Sequence, residues 1–120
     1  MSRLIYMITF QMHHIYSEKK KEKILKLAKR LNITGIYKFG KPGRLILFEP
    51  EEDKNLSIFE KEIKSLNWQT CTVTLRRVFH PSQFVVFNQF VSVESDVELR
   101  ELLIQHELKD IWHELTGFKN

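Results

Sequence analysis

Met12–Arg44, MHHIYSEKKKEKILKLAKRLNITGIYKFGKPGR, decides the architecture. Ser17 stands where an N-cap belongs, although Lys20 occupies the position at which a capping box wants Glu. Glu18 suits the positive end of a helix dipole, and Lys29 and Arg30 suit the negative end. Between them Ile24, Leu27, Ala28 and Leu31 recur at three and four, a narrow apolar stripe that predicts an amphipathic helix laid on a sheet. Asn32 ends it. Ile33–Phe39 reads as a strand, with Gly35 marking a bulge or a close backbone approach. Gly40-Lys41-Pro42-Gly43 predicts a type II turn, Pro42 fixing φ and Gly43 taking φ > 0. Arg44–Glu49 then returns as the second arm of a hairpin, stopped by Pro50.

Working outward, Leu4–His13 alternates over ten residues and predicts a strand. Leu4, Tyr6, Ile8, Phe10 and Met12 share one face; Ile5, Met7, Thr9, Gln11 and His13 share the other. Residues 51–66 carry Leu56, Phe59, Ile63 and Leu66 at helical spacing. Thr70–Val78 alternates again, with Thr70, Thr72, Thr74 and Arg76 opposed to Cys71, Val73 and Leu75. The order is βαββαβ, the split pattern of ferredoxin-like folds. A further strand over Phe84–Val93 and a helix over Asp96–Leu115, capped by Ser95 or Asp96 and closed by Gly117, complete one α+β domain spanning residues 1–120.

The 120 residues are 42% hydrophobic and 28% charged, an ordinary globular balance and too apolar for disorder. No apolar run approaches the ~20 residues of a membrane span, and Leu4–Phe10 reads as a strand and not as a signal peptide. The lone Cys71 can form no internal disulfide, which points to an intracellular setting, nucleus or cytoplasm, and to a small strand hydrophobe in preference to a reactive thiol. The net charge of +4 is unevenly spread. Residues 1–48 hold eleven Lys and Arg against two Glu, whereas residues 49–120 hold eight against thirteen Asp and Glu. Such a split steers a polyanion to one side, or favours a protein partner with an acidic surface.

Catalytic and metal chemistry find no constellation. His13 and His14 are adjacent and point to opposite faces of a strand, while His106 and His113 stand about two helical turns apart. There is no paired cysteine, HExxH or GxSxG. Gly40–Gly43 joins two strands and lacks the GK[ST] ending of a phosphate loop. The residues predict a non-enzyme without cofactors. What they offer is cation. Lys19, Lys23, Lys26 and Arg30 recur on one helix face, and Lys41 and Arg44 sit at the expected hairpin tip. His13 and Arg76 join Thr9, Gln11, Thr72 and Thr74 on a polar sheet face. Lys and Arg supply sequence-independent phosphate affinity, and sheet hydroxyls and amides add hydrogen bonds. Arg44–Phe48 lacks the aromatic-glycine alternation of an RNA-recognition motif, so Phe48, like Trp68 and Trp112, is read as core.

His13-His14-Ile15-Tyr16-Ser17, the lysine-rich helix ending Ala28…Leu31-Asn32, Thr34-Gly35, Gly40-Lys41-Pro42-Gly43, Glu49 and Leu66-Asn67-Trp68 carry a family resemblance. In order and spacing the chain resembles the C-terminal domain of unknown function that follows the RWD domain in RWD-domain-containing proteins. The same family includes the C-terminal domain of a pre-mRNA-processing spliceosomal small nuclear ribonucleoprotein protein. The resemblance implies a ferredoxin-like fold and, through the spliceosomal member, binding of small nuclear RNA. Pro50 departs from the glycine usual after that Glu, and the HHIYS stretch belongs to the RWD-associated branch. The chain is either a stand-alone member or part of a longer protein. The expectation is therefore an RNA-binding domain that meets duplex RNA with a single-stranded end through Lys19, Lys23, Lys26, Arg30, Lys41, Arg44, His13 and Arg76. A protein-interaction adaptor is the alternative.

Overall fold

A computed structural model describes residues 4–80 and 88–117. Strand β1 (Ile5–Met12) leads to helix α1 (Glu18–Arg30), strands β2 (Thr34–Lys38) and β3 (Gly43–Pro50), helix α2 (Lys54–Lys64) and strand β4 (Cys71–Phe79). Strand β5 (Phe90–Val93) and helices α3 (Asp96–Gln105) and α4 (Lys109–Thr116) follow. The sheet order is β4-β1-β3-β2-β5. Its first four strands pair antiparallel in the ferredoxin-like arrangement, and β5 adds in parallel to β2. Residues 84–87 of the expected fifth strand lie outside the described residues.

Local chemistry fixes the ends. The Ser17 hydroxyl accepts from the Lys20 amide at 3.3 Å and caps α1. At the other end Asn32 takes φ 54°, and the Ile33 and Asn32 amides bond back to the Ala28 and Lys29 carbonyls, the paired bonds of a Schellman cap. Asp53 makes no side-chain cap for α2. Glu49, reaching over from β3, accepts from the Leu56 amide at 2.9 Å and satisfies that end instead. Ser95, and not Asp96, caps α3 through the Glu98 amide at 3.1 Å.

Several details of the turns and helix ends bear on the sequence reading. The Lys41–Pro42 peptide is cis, and it is Gly40, at φ 90°, that takes the positive angle while Gly43 enters β3. Gly43 is required for space, since a Cβ there would stand 2.3 Å from the Ile15 side chain. Gly35 shows the expected close approach: at φ 139° its Cβ would fall 1.9 Å from the Ile46 carbonyl oxygen. The single C-terminal helix is broken at Glu107, which adopts φ 62°. The Leu108 and Glu107 amides there close a second Schellman cap on the Leu103 and Ile104 carbonyls.

The largest difference concerns the sheet, because both its faces are covered. Ile8, Phe10, Met12, Leu45 and Leu47 pack with Ile24, Leu27, Phe59 and Ile63 of α1 and α2. On the other side Ile5, Met7, Ile36, Ile46 and Phe48 pack with Leu99, Leu103, Ile111 and Trp112 of α3 and α4. Two apolar layers explain why β3 is almost continuously hydrophobic where a one-sided sheet would alternate. The polar face expected on β1 and β4 is therefore no open platform. Thr9 is fully buried, its hydroxyl 2.7 Å from that of Thr74.

Candidate nucleic-acid interface

The eight cationic or imidazole side chains singled out above fall into two groups, sorted by whether an acid already holds them. Lys23 and Arg30 of α1 both reach the Glu62 carboxylate of α2, at 3.3 and 2.6 Å. Arg76 donates to both oxygens of Glu60, at 2.9 and 2.8 Å. Arg44 is 8% exposed, its Nε bonded to Asp96 Oδ1 at 3.0 Å and its Nη1 to Gln11 Oε1 at 3.0 Å. Among the described residues, Lys19, Lys26 and Lys41 are exposed and show no acid partner. His13 is half-buried, edge-on to His14 at 5.3 Å between ring centres.

Two placements correct the sequence reading. Arg44 does not project from a hairpin tip. It lies within β3, opposite Gln11 of β1, on the side roofed by α3, where Asp96 in the first turn of that helix meets it. Arg76 does not share a face with Thr9 and Gln11, because the β1–β4 register shifts between Thr9 and Phe10. One extra residue in β4 reverses the alternation, as a bulge must. Gln11 thus still faces Thr72, while Arg76 turns to the α2 side and the next residue, Arg77, pairs with Glu114 of α4.

Magnitudes decide which cations a ligand could borrow. Exposed ion pairs are worth only ~0–1 kcal/mol, so a phosphate can displace Glu62 from Lys23 or Arg30 at little cost. A buried guanidinium stripped of its carboxylate costs several times more, which fixes Arg44 and its neighbour Lys38 as structural. Lys38 is 5% exposed and donates to the Pro42 carbonyl at 2.6 Å, with Asp96 Oδ1 3.7 Å away. Burial raises the Glu60 pKa, but hydrogen bonds from Arg76 and Lys64 outweigh it and hold the carboxyl below its usual range. Glu62 is lowered chiefly by the hydrogen bond from Lys23. Both acids are ionised partners at neutral pH.

The open cations lie along α1 or close to its start. Lys19 and Lys26 lie seven residues apart on α1, about 10 Å along its axis. Lys41 is carried close to the start of that helix by an isolated antiparallel bridge, in which the Ile15 amide donates to Gly40 at 2.8 Å and the Gly40 amide to Ile15 at 3.0 Å. Lys29 is also exposed and shows no acid partner among the described residues; sequence reasoning had used it only to complement the helix dipole. The same bridge presents an aromatic group that periodicity could not find. The Tyr16 ring stacks on His14, with centres 4.8 Å apart and planes 19° from parallel. Lys20 lies over the Trp68 ring at 4.5 Å, and the indole donates to the Ile63 carbonyl at 2.8 Å, so Trp68 joins helix to loop. Burial pushes the Cys71 thiol up from its usual value, which suits a packing role.

Among the described residues no group of three or more His, Cys, Asp or Glu is placed to hold a metal ion, and no helix is long and apolar enough to cross a membrane. Residues 8–115 match the family described as small nuclear ribonucleoprotein Prp3, C-terminal domain. No protein of curated function matches the chain. Among solved structures the chain is similar to HypF in its phosphate- and nucleotide-bound form, at 16% identity and a TM-score of 0.47 over 79% of this chain and 12% of HypF. It is similar to an acylphosphatase from Coxiella burnetii at 14% identity and 0.44, over 77% of this chain and 93% of the enzyme. For the acylphosphatase from Bacillus subtilis the values are 15% and 0.43, over 78% and 99%.

Proposed function

The chain belongs to the family of the small nuclear ribonucleoprotein Prp3 C-terminal domain, and from that premise we propose that it is a non-enzymatic, single-domain RNA-binding module of a nuclear ribonucleoprotein. The observation that carries this reading is the uncompensated cation along α1 and beside its start. Lys19, Lys26 and Lys41 are open to solvent, and Lys23 and Arg30 stand beside them, held only by a surface carboxylate. Because both sheet faces are packed, the RNA backbone meets this edge and not the sheet. The ligand is a duplex with a single-stranded end, the helix lysines taking phosphates of the paired part. The HHIYS segment is the feature that favours the RWD-associated branch of that family.

The test is a salt titration of binding to a short RNA duplex with a single-stranded tail. Affinity falls linearly on logarithmic axes as salt rises. The triple variant K19E/K26E/K41E abolishes binding at low salt while its circular dichroism stays unchanged.

A second reading has an observation of its own. Lys23, Arg30 and Arg76 already sit on carboxylates of the chain's own Glu62 and Glu60, which supports a surface suited to acidic side chains. An adaptor that receives an acidic protein segment uses the same edge. Absence of RNA binding at low salt favours it over the first.

A further inference from the structure

The Tyr16–His14 stack lies outside both apolar layers of the fold. Tyr16 is the most exposed Phe, Tyr or Trp among the described residues, at 57%, yet it is not loose. His14 lies against it nearly parallel, His13 meets His14 edge-on, and Ile15 between them is fully buried and tied to Gly40 by two backbone hydrogen bonds. An exposed ring held in this way has already lost most of its rotational freedom, so a second ring can settle on it at low entropic cost.

Its surroundings say what that second ring is. Continuing the antiparallel Ile15–Gly40 bridge places His14 beside Lys41. Lys21 reaches over the Phe39 ring at 5.5 Å and lines the same cleft as Tyr16. A cleft of about 370 Å³, more polar than apolar, opens next to the tyrosine and is walled by Lys21, Phe39, Ser92 and Glu94. Cations at the rim attract a phosphodiester. The carboxylate of Glu94 repels phosphate and accepts from base amino groups, so the wall with Glu94 faces a base edge and not the backbone. Flat π-surface, flanking lysines and a polar pocket together are the elements of a single-strand stacking platform.

We propose that Tyr16, backed by His14, stacks an unpaired RNA base, with Lys41 and Lys21 holding the phosphates on either side of it. This rests on the RNA-binding reading above and assigns the single-stranded part of the ligand to a place the helix lysines do not occupy. The probes are a blunt RNA duplex and the same duplex with an oligoadenosine tail containing one 2-aminopurine. The Y16A variant weakens binding of the tailed duplex about tenfold, the usual scale for one base stacked on an aromatic side chain, and leaves the blunt duplex unchanged. The Y16W variant keeps tailed affinity, and 2-aminopurine fluorescence is quenched on binding to wild type and Y16W but not to Y16A. Unchanged tailed affinity in Y16A, or equal losses for both duplexes, overturns the platform while leaving the lysine edge standing. Failure of the wild type to bind either duplex overturns both.

Discussion

Arg30 donates to one oxygen of the Glu62 carboxylate at 2.6 Å, while Lys23 reaches the other at 3.3 Å. A single acid on α2 thus occupies two of the four cations on the exposed face of α1. Neutralising it returns both to solvent. The E62Q variant is expected to bind duplex RNA more tightly at low salt, roughly twofold to tenfold, the scale of two surface ion pairs. The salt dependence steepens at the same time, by up to about 0.9 for each added phosphate contact. Anisotropy titrations at several salt concentrations read both effects. Unchanged affinity would remove Lys23 and Arg30 from the interface.

Arg44 is expected to matter for folding and not for binding. Truncation to alanine leaves Asp96 and Gln11 without their donor inside a covered layer. Fully buried pairs cost about 3–5 kcal/mol when broken; Asp96 is partly open to water, so about 2–3 kcal/mol is expected for R44A. Urea unfolding measures the loss, and RNA affinity per folded molecule stays at the wild-type value.

Glu49 couples α2 to pH. Burial raises its pKa above the ordinary 4.5, against the opposing hydrogen bonds from the Leu56 and Asn55 amides. A raised native pKa means the folded state binds the proton more tightly than the unfolded chain. This group's contribution is therefore full below about 4.5 and declines as pH rises through the folded value. The E49Q variant keeps an oxygen for the Leu56 amide and flattens that part of the pH profile. The E49A variant loses the cap as well, costing about 0.5–2 kcal/mol in thermal or urea melts at any pH.

Two glycines make a paired prediction. G35A drives a methyl group into the Ile46 carbonyl, a backbone atom that cannot move without breaking the β2–β3 ladder, and loses on the order of 3 kcal/mol or more. G43A drives its methyl group against Cγ1 and Cδ1 of the buried Ile15 side chain, which can shift where a laddered carbonyl cannot, so its loss is smaller than that of G35A. Because Ile15 anchors the Tyr16 stack, G43A also weakens binding of the tailed duplex. Chemical denaturation ranks the two.

Much of this architecture was legible. The period-two run of β1, the Ser17 cap, the Asn32 stop and the stripe on α1 each specify structure within a few residues. What could not be read involved partners far apart in the chain. Glu107 resembles any other helix residue, and only the docking of α4 against the sheet makes its left-handed turn worthwhile. The bulge in β4 carries no glycine or proline to announce it, so Arg76 was set on the wrong face. The cationic stripe was visible, but its counter-ions Glu60, Glu62 and Asp96 arrive from other elements. Charge counting registers their total and not their address. The pairing of His14 with Tyr16 is invisible in the sequence, since a stack between residues two apart depends on a backbone bend that no periodicity encodes.

A sheet upholstered on both sides has one further consequence. With its two broad surfaces spent on internal packing, the molecule can offer a ligand only its perimeter, and the four open lysines Lys19, Lys26, Lys29 and Lys41 together yield a salt exponent of only about −3.6. So slight a grip suits a component already tethered inside a larger particle, where proximity multiplies weak contacts, far better than a lone protein scanning for its target.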